Sequence, residues 1–546
     1  MRLFLLFIFI IIIAARAFSQ TYPNRYWIQF TDKDNNPYSL DRPEEFLSEG
    51  AIQRRVKQNI SLSINDLPIT PAYVDSLKAL GVPVYNMSKW FNAITTNNIS
   101  PELLEKIYDF PFVVKPSGQE SQQIKRGIKN NTAVVISELD SWETFYGYPE
   151  SQIKIHNGHF LHQQGFTGRG IQIAIIDAGF LGVDVVPGFL HLWDEGRILG
   201  IRDFVDRNSN IYRENVHGMH VLSIIAGYMP YQFVGTAPDA SFWLLRSEDV
   251  DSEFLIEEDN WISAAEFADS AGADIISVSL GYSIFDDSTQ NHTYEDMDGN
   301  STRISIAADI AASKGMLVVS SAGNQGNKPW KYITAPADAD SVLAIGAVDT
   351  LGNIASFSSV GPSFDGGIKP NVCAIGQGTY ILRQNGLIGS GGGTSLSAPV
   401  ISGLAACLWQ ANPEATNMEI FSVIQESSSR FTNPDTIYGY GIPDFNLADI
   451  IYKTRNNNIS EEFYSLNIFP NPFNESINII FYSSFEKNVT VTIHDATGRI
   501  IKEEKHYVND SYNELVIDDL SDLSSGLYFL TIKSENSFVT SKLIKL

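Results

Sequence analysis

Residues 145–453 predict an α/β fold, a parallel β-sheet covered by helices on both faces, and two observations carry that prediction. Short, mostly apolar runs at 171–176, 273–278, 315–319 and 342–345 have the composition of strands buried on both sides. Candidate helices at 217–228, 261–271, 305–313 and 394–410 fall between or after them, and strands alternating with helices form a parallel sheet. The flanks follow other patterns: residues 20–120 predict a small α+β domain, and residues 461–546 an all-β sandwich.

Taken in order, the chain opens on Met1-Arg2, an apolar run over 3–13, and Ala14-Ala15-Arg16-Ala17-Phe18-Ser19. Charge, apolar core and small-residue exit make residues 1–19 a secretory signal. The run is too short for a spanning helix, and no later stretch is long and apolar enough, so no transmembrane helix is expected in the mature form. The alternation Tyr26-Trp27-Ile28-Gln29-Phe30 predicts a strand, followed after a long insertion by a helix over 71–80 closed by Gly81. Strands at 82–85 and 91–95, a helix over 101–109 and a strand at 112–114 complete a βαββαβ order. The polar stretch 121–144 reads as a linker. Beyond the α/β region, 454–460 with Arg455-Asn456-Asn457-Asn458 is a second linker, and 489–494 and 527–532 are half-buried strands.

With 38 basic against 63 acidic residues the net charge is −25, which repels nucleic acid and anionic membrane surfaces. Two cysteines, Cys373 and Cys407, allow at most one disulfide, so the fold must rest on its core.

Ligands of an open parallel sheet bind beyond the carboxyl ends of its strands, and that rule singles out residues. Asp177 follows the strand ending Ile175-Ile176; alone it reads equally as a turn aspartate. His217 opens an apolar helix with His220 one turn on, but no His-Glu-x-x-His motif is present and no metal site is assigned. Val318-Val319-Ser320-Ser321-Ala322-Gly323-Asn324 runs a buried strand into an amide donor. Gly391-Gly392-Gly393-Thr394-Ser395 brings a hydroxyl to the start of an apolar helix, where it is either an N-cap or a nucleophile beside unpaired backbone N–H groups. Carboxylate, imidazole, amide and hydroxyl at one sheet edge are the set that nucleophilic catalysis at serine requires. The absence of a Gly-x-Ser-x-Gly elbow argues against an α/β-hydrolase.

On these residues the region 145–450 resembles the subtilisin-like serine peptidases, with the chain order acid, histidine, serine. Further segments share the likeness: Tyr146-Gly147, Gly235-Thr236-Ala237-Pro238, Ser277-Val278-Ser279-Leu280-Gly281 and Ala355-Ser356-Phe357-Ser358-Ser359-Val360-Gly361-Pro362. The resemblance implies a subtilisin-like sheet with Ser395 as nucleophile forming an acyl-enzyme, His217 as general base then acid, and Asp177 as its orienting partner. It makes Asn324 and the Ser395 N–H the oxyanion donors. Ser279, Leu280 and Gly281 would bind substrate backbone as an added strand, with Ala322 and Gly323 on the other wall of the primary pocket and Ala335-Pro336-Ala337-Asp338 closing it. Departures are Ala178, Met219 and Leu396-Ser397, none of which removes a catalytic atom.

By the same resemblance residues 20–120 are a propeptide, an inhibitor and chaperone of its own enzyme, cut away within the linker. Ile468-Phe469-Pro470-Asn471-Pro472-Phe473, Asp495-Ala496-Thr497-Gly498-Arg499 and the closing Lys542-Leu543-Ile544-Lys545-Leu546 resemble the C-terminal sorting domain of type IX secretion, which implies a gram-negative outer surface and contact with that secretion machinery. Substrates would be proteins or peptides. No cofactor is required; the acidic stretch containing Asp286, Asp287, Asp296 and Asp298 leaves room for structural Ca²⁺, with a solvated loop as the alternative. His156, His159 and His162 read as helix-surface residues. Two other functions share this fold, a catalytically silent adhesion protein and a peptide cyclase or transpeptidase.

Overall fold

The computed structural model describes residues 25–97, 99–115, 145–456 and 463–546, except 484, 510, 511 and 536. The signal segment, the linker 121–144 and most of 454–460 lie outside the described residues.

The N-terminal unit is an antiparallel sheet, β1 (Arg25–Gln29), β2 (Asn86–Ser88) and β3 (Ala93–Asn97), in the order β1-β3-β2. It carries helices α1 (Glu49–Lys57), α2 (Pro71–Ala79) and α3 (Pro101–Tyr108). Three expectations need correction. The strand expected at 82–85 starts at Asn86, because Pro83 has no N–H to give a ladder. The strand expected at 112–114 is a single bridge between Val113 and Phe30. The insertion after β1, left without structure by the sequence, contains α1.

The central unit is a seven-stranded parallel sheet of β4 (Gln172–Asp177), β5 (Ile198–Asp203), β6 (Ser241–Arg246), β7 (Ile275–Val278), β8 (Leu317–Ser321), β9 (Val342–Val348) and β10 (Val372–Ile375). Their order is β10-β9-β8-β7-β4-β6-β5. The sequence missed β5, β6 and β10. Along β4, Ile173 and Ile175 face one core with α4 (His217–Ala226) and α7 (Thr394–Ala411). Ala174 and Ile176 face the other, with α5 (Ile256–Ala271) and α6 (Arg303–Ser313). This period of two is the reason a doubly covered strand reads as one apolar run. A hairpin, β11 (Gln377–Leu382) and β12 (Ile388–Gly392), leads into α7.

The C-terminal unit is the expected sandwich. One sheet is formed by β13 (Phe463–Phe469), β14 (Ile477–Ser483) and β17 (Tyr512–Ile517). The other is formed by β15 (Lys487–Asp495), β16 (Ile500–Val508), β18 (Gly526–Lys533) and β19 (Phe538–Lys545). They enclose their own core, which includes Phe473, Ile479, Val491, Leu530 and Leu543. Among the described residues no helix is long and apolar enough to cross a membrane.

Candidate active site

The chain runs from β4 to the sheet edge at β5, returns through β6 beside β4, then crosses β4 to build β7 outward, so β4 is the switch point of the sheet. Asp177 is the last residue of that strand and is fully buried. Its Oδ1 accepts from the Ala178 N–H at 2.7 Å, and both carboxylate oxygens face His217 Nδ1, at 2.8 and 3.0 Å. A carboxylate has no hydrogen to give, so Nδ1 carries the proton and Nε2 of the neutral ring is the acceptor.

His217 is the first residue of α4, and its backbone N–H is held by Asn215 Oδ1 at 2.8 Å. Gly218 explains why this helix start can lie so close to Asp177: a Cβ there would stand 2.5 Å from the Gly179 carbonyl and 3.0 Å from Asp177 Cβ. The imidazole feels two opposing influences. Burial lowers its pKa, but the Asp177 charge and hydrogen bond, with a further contribution from Glu248, outweigh it and raise the pKa above the ordinary value. His220, by contrast, is pushed down to about 4, first by burial and then by His217, and stays neutral.

Ser395 is the second residue of α7 and is half-buried. Gly393 precedes the helix at φ 155°, ψ 149°, a conformation that side-chain-bearing residues rarely adopt. A Cβ on it would lie 3.0 Å from Ser395 Oγ and 3.7 Å from Asn324 Nδ2, so hydroxyl and amide face the same small space. Asn324 is oriented by its other end: Oδ1 accepts from Thr394 N at 2.8 Å and from Thr394 Oγ1 at 3.1 Å, which turns Nδ2 toward the serine. The Gly323 N–H donates to the same Thr394 hydroxyl at 3.2 Å. The Ser395 N–H is in the first turn of α7, where backbone donors have no partner within the helix.

Pro399 lies inside α7 and has no N–H for the carbonyl of Ser395, four residues earlier. Ser279 Oγ donates to that carbonyl instead, at 2.9 Å. The expected substrate-binding segment therefore divides. Ser279 is buried with its side chain under α7, Leu280 is half-buried, Gly281 is exposed, and Tyr282 is buried again and pairs antiparallel with Ala335. Ala322 and Gly323 are buried at the end of β8. Asp338, in the loop expected to close the pocket, is buried and accepts from Ser305 Oγ and Gly299 N.

Of the residues singled out from sequence, the structure pairs Asp177 with His217 and sets Asn324 beside Ser395; the residues that orient them, Asn215, Thr394 and the hydroxyl of Ser279, were not assigned that part from sequence. The histidine cluster is corrected. His156 is fully buried and donates Nδ1–H to the Pro443 carbonyl at 3.0 Å. His162 Nε2 donates to the Thr236 carbonyl, so its Nδ1 accepts from Tyr146 OH, each at 3.0 Å. In the acidic insertion Asp298 accepts from Asn300 N and from Ser301 N and Oγ, and Asp296 caps Thr293. Those carboxylates serve turns and favour the solvated-loop reading. Cys373 and Cys407 are buried free thiols.

A hydroxyl at a helix start, an amide donor beside it, and a histidine locked by a buried carboxylate define a serine hydrolase on a doubly covered parallel sheet. Residues 168–441 match the subtilase family, and the chain belongs to that family: it is a serine-type endopeptidase. Residues 25–133 match the peptidase S8 propeptide domain of Bacteroidota, and residues 467–546 a secretion system C-terminal sorting domain. Subtilisin NAT of Bacillus subtilis subsp. natto is 28% identical over 347 residues, covering 62% of this chain and 81% of its own. Serine protease AprX of Bacillus subtilis is 30% identical over 308 residues, 51% of this chain and 66% of its own. Among solved structures, that of MycP1 from Mycobacterium smegmatis aligns with a TM-score of 0.44 at 24% identity, over 57% of this chain and 89% of its own. With its sorting domain, the protein is secreted or attached to the outer cell surface.

Proposed function

We propose that the chain is a self-activating endopeptidase that hydrolyses peptide bonds of extracellular proteins through an acyl-enzyme on Ser395. The observation that carries this reading is the pairing of orientations. Asp177 fixes His217 with Nε2 as acceptor, and Thr394 fixes Asn324 with Nδ2 toward Ser395.

In the reaction His217 Nε2 takes the Ser395 proton as Oγ attacks the scissile carbonyl, and Asp177 stabilises the imidazolium. The oxyanion receives hydrogen bonds from Asn324 Nδ2 and the Ser395 N–H. His217 then protonates the leaving amine, and a water activated by the same imidazole attacks the ester and frees Ser395. Leu280 and Gly281 follow the carboxyl end of β7 and would pair with an extended substrate; the Ser279 hydroxyl holds the helix that carries the nucleophile. No step requires a cofactor.

Self-activation has structural support in the placement of the N-terminal unit. It sits on α5, where Glu266 accepts from Ser88 Oγ at 2.5 Å and from the N–H groups of Lys89 and Trp90 at 2.7 and 3.0 Å. Residues 116–144, which connect it to the peptidase unit, contain the proposed cut. The precursor with Ser395→Ala is expected to stay whole while the wild-type chain separates into two parts, and a fluorophosphonate probe is expected to label Ser395 only after that cut. Complete processing of purified Ser395→Ala would sink self-activation, and absence of label in the separated wild-type protein would sink the acyl-enzyme.

A further inference from the structure

Helix α5 begins with three buried acidic residues in a row, Glu257, Glu258 and Asp259. Two have cationic or protonatable partners. Glu258 meets His292 Nε2 at 2.5 Å, and Asp259 meets Arg303 Nη2 at 2.9 Å. Glu257 has none. It is 1% exposed, and neither carboxylate oxygen accepts a hydrogen bond of ordinary geometry, though the backbone of Asp249 interacts with it. What surrounds it is more negative charge: one oxygen each of Glu248, Glu253 and Glu257 all lie within 4.8 Å of one another.

A buried carboxylate without a counter-charge is strongly disfavoured, and two further carboxylates make ionisation harder. The positive end of α5 offsets little of this, since three acidic side chains share its first turn. The oxygen spacing has a simple complement. Calcium–oxygen distances of about 2.3–2.6 Å put oxygens on opposite sides of one ion about 5 Å apart, so three oxygens within 4.8 Å fit a single shell.

We propose that Glu248, Glu253 and Glu257 bind one hard divalent cation, Ca²⁺, at the carboxyl end of β6. The acidic insertion considered from sequence adjoins this site without supplying its ligands: Asp286 accepts from the Glu253 N–H at 3.1 Å, while Asp287, Asp296 and Asp298 serve turns. It also touches the cleft. Tyr282 OH donates to Glu248, and Tyr282 directly follows Gly281 and pairs with Ala335, so the ion braces the wall along which substrate lies. Glu248 and Glu253 are half-exposed and provide the way in, while buried Glu257 supplies the reason for the ion.

The proposal concerns binding and does not depend on the peptidase being self-activating. It is tested on the full chain carrying Ser395→Ala, with Ca²⁺ alone by calorimetry and Tb³⁺ alone by luminescence excited through nearby tyrosine and tryptophan. Glu257→Gln, added to that chain, is expected to lower the metal stoichiometry by one and to remove the rise in Tm that saturating Ca²⁺ gives the parent. Glu248→Gln, on a half-exposed group, is the second variant and is expected to weaken the same site at least tenfold. Equal stoichiometry and affinity in all three proteins would place any ion elsewhere and overturn the assignment. So would a Glu257→Gln chain of higher Tm with unchanged Ca²⁺ response, since the trio would then hold protons and no metal.

Discussion

At the scale of single residues, the site depends on which atoms are already occupied. Asp177 holds His217 by both oxygens, and with His217 as the proposed base that contact would set the acid limb of the rate profile. The free-enzyme imidazole must be neutral to act as base, and its pKa is raised, so half-maximal kcat/KM on the acid side is expected above the ordinary histidine value of about 6.5. The linked stability has the opposite sense: the His217–Asp177 ion pair stabilises the fold in acid and loses that contribution as pH rises through the raised pKa. Asp177→Asn is expected to move the limb downward, because burial is then opposed only by the smaller influence of Glu248, and to lower kcat by about 10⁴-fold. A pH profile of the two proteins checks both, and an unmoved limb would mean that Asp177 does not set the pKa. Ser279→Ala leaves the Ser395 carbonyl without the hydroxyl that replaces the missing Pro399 N–H. It is expected to cost about 1–3 kcal/mol of stability, read by denaturant unfolding, together with a fall in kcat. Asp177, His217, Asn324 and Ser395 stand out in the sequence because they fall at strand ends and helix starts. The orienting parts of Thr394 and Ser279 do not, because a hydroxyl that hydrogen-bonds across the fold has no signature in its own neighbourhood.

At the scale of elements, α5 shows how far burial can depart from apolar patterning. Asp269 on this helix is fully buried among Arg54, Arg55 and Lys89, with Arg54 at 2.6 Å, Arg55 at 2.8 Å and Lys89 at 2.9 Å. Burial opposes its ionisation, but the three cations hold its carboxyl well below the usual range. Asp269→Asn would leave Arg54 and Lys89 without that carboxylate and Arg55 with Asp66 alone, and a loss of about 3–5 kcal/mol in the hold between N-terminal and peptidase units is expected. Titration of the separated N-terminal unit against the peptidase measures it; a change below tenfold in Kd would refute the role. The same contact explains why α1 escaped sequence reading. Its buried face is Ala51, Arg54 and Arg55, at helical spacing but charged, so no apolar stripe marks it. By contrast β4, β7, β8 and β9 were legible because both of their faces meet apolar cores.

At the scale of the whole molecule, the C-terminal sandwich and the N-terminal sheet each have a core of their own, while the central sheet has one on each face and takes Trp90 of the N-terminal unit into one of them. The N-terminal unit covers the buried polar residues of α5: Asn260 meets Asn86 at 2.6 Å, Asp259 meets Thr95 at 3.1 Å, and Glu266 and Asp269 bind the residues named above. That arrangement has a kinetic consequence. A peptidase unit folding by itself must bring Glu266 and Asp269 together on α5 with no counter-charge, and the added cost falls on the barrier as well as on the final state wherever α5 docks early. Residues 25–115 added in trans are therefore expected to speed refolding of the denatured Ser395→Ala peptidase unit, followed by tryptophan fluorescence, and the Asp269→Asn unit is expected to gain less from them. Because the N-terminal unit precedes α5 in the chain, its counter-ions are within reach from the outset, and cutting the linker would discard them only once the native state no longer has to be found.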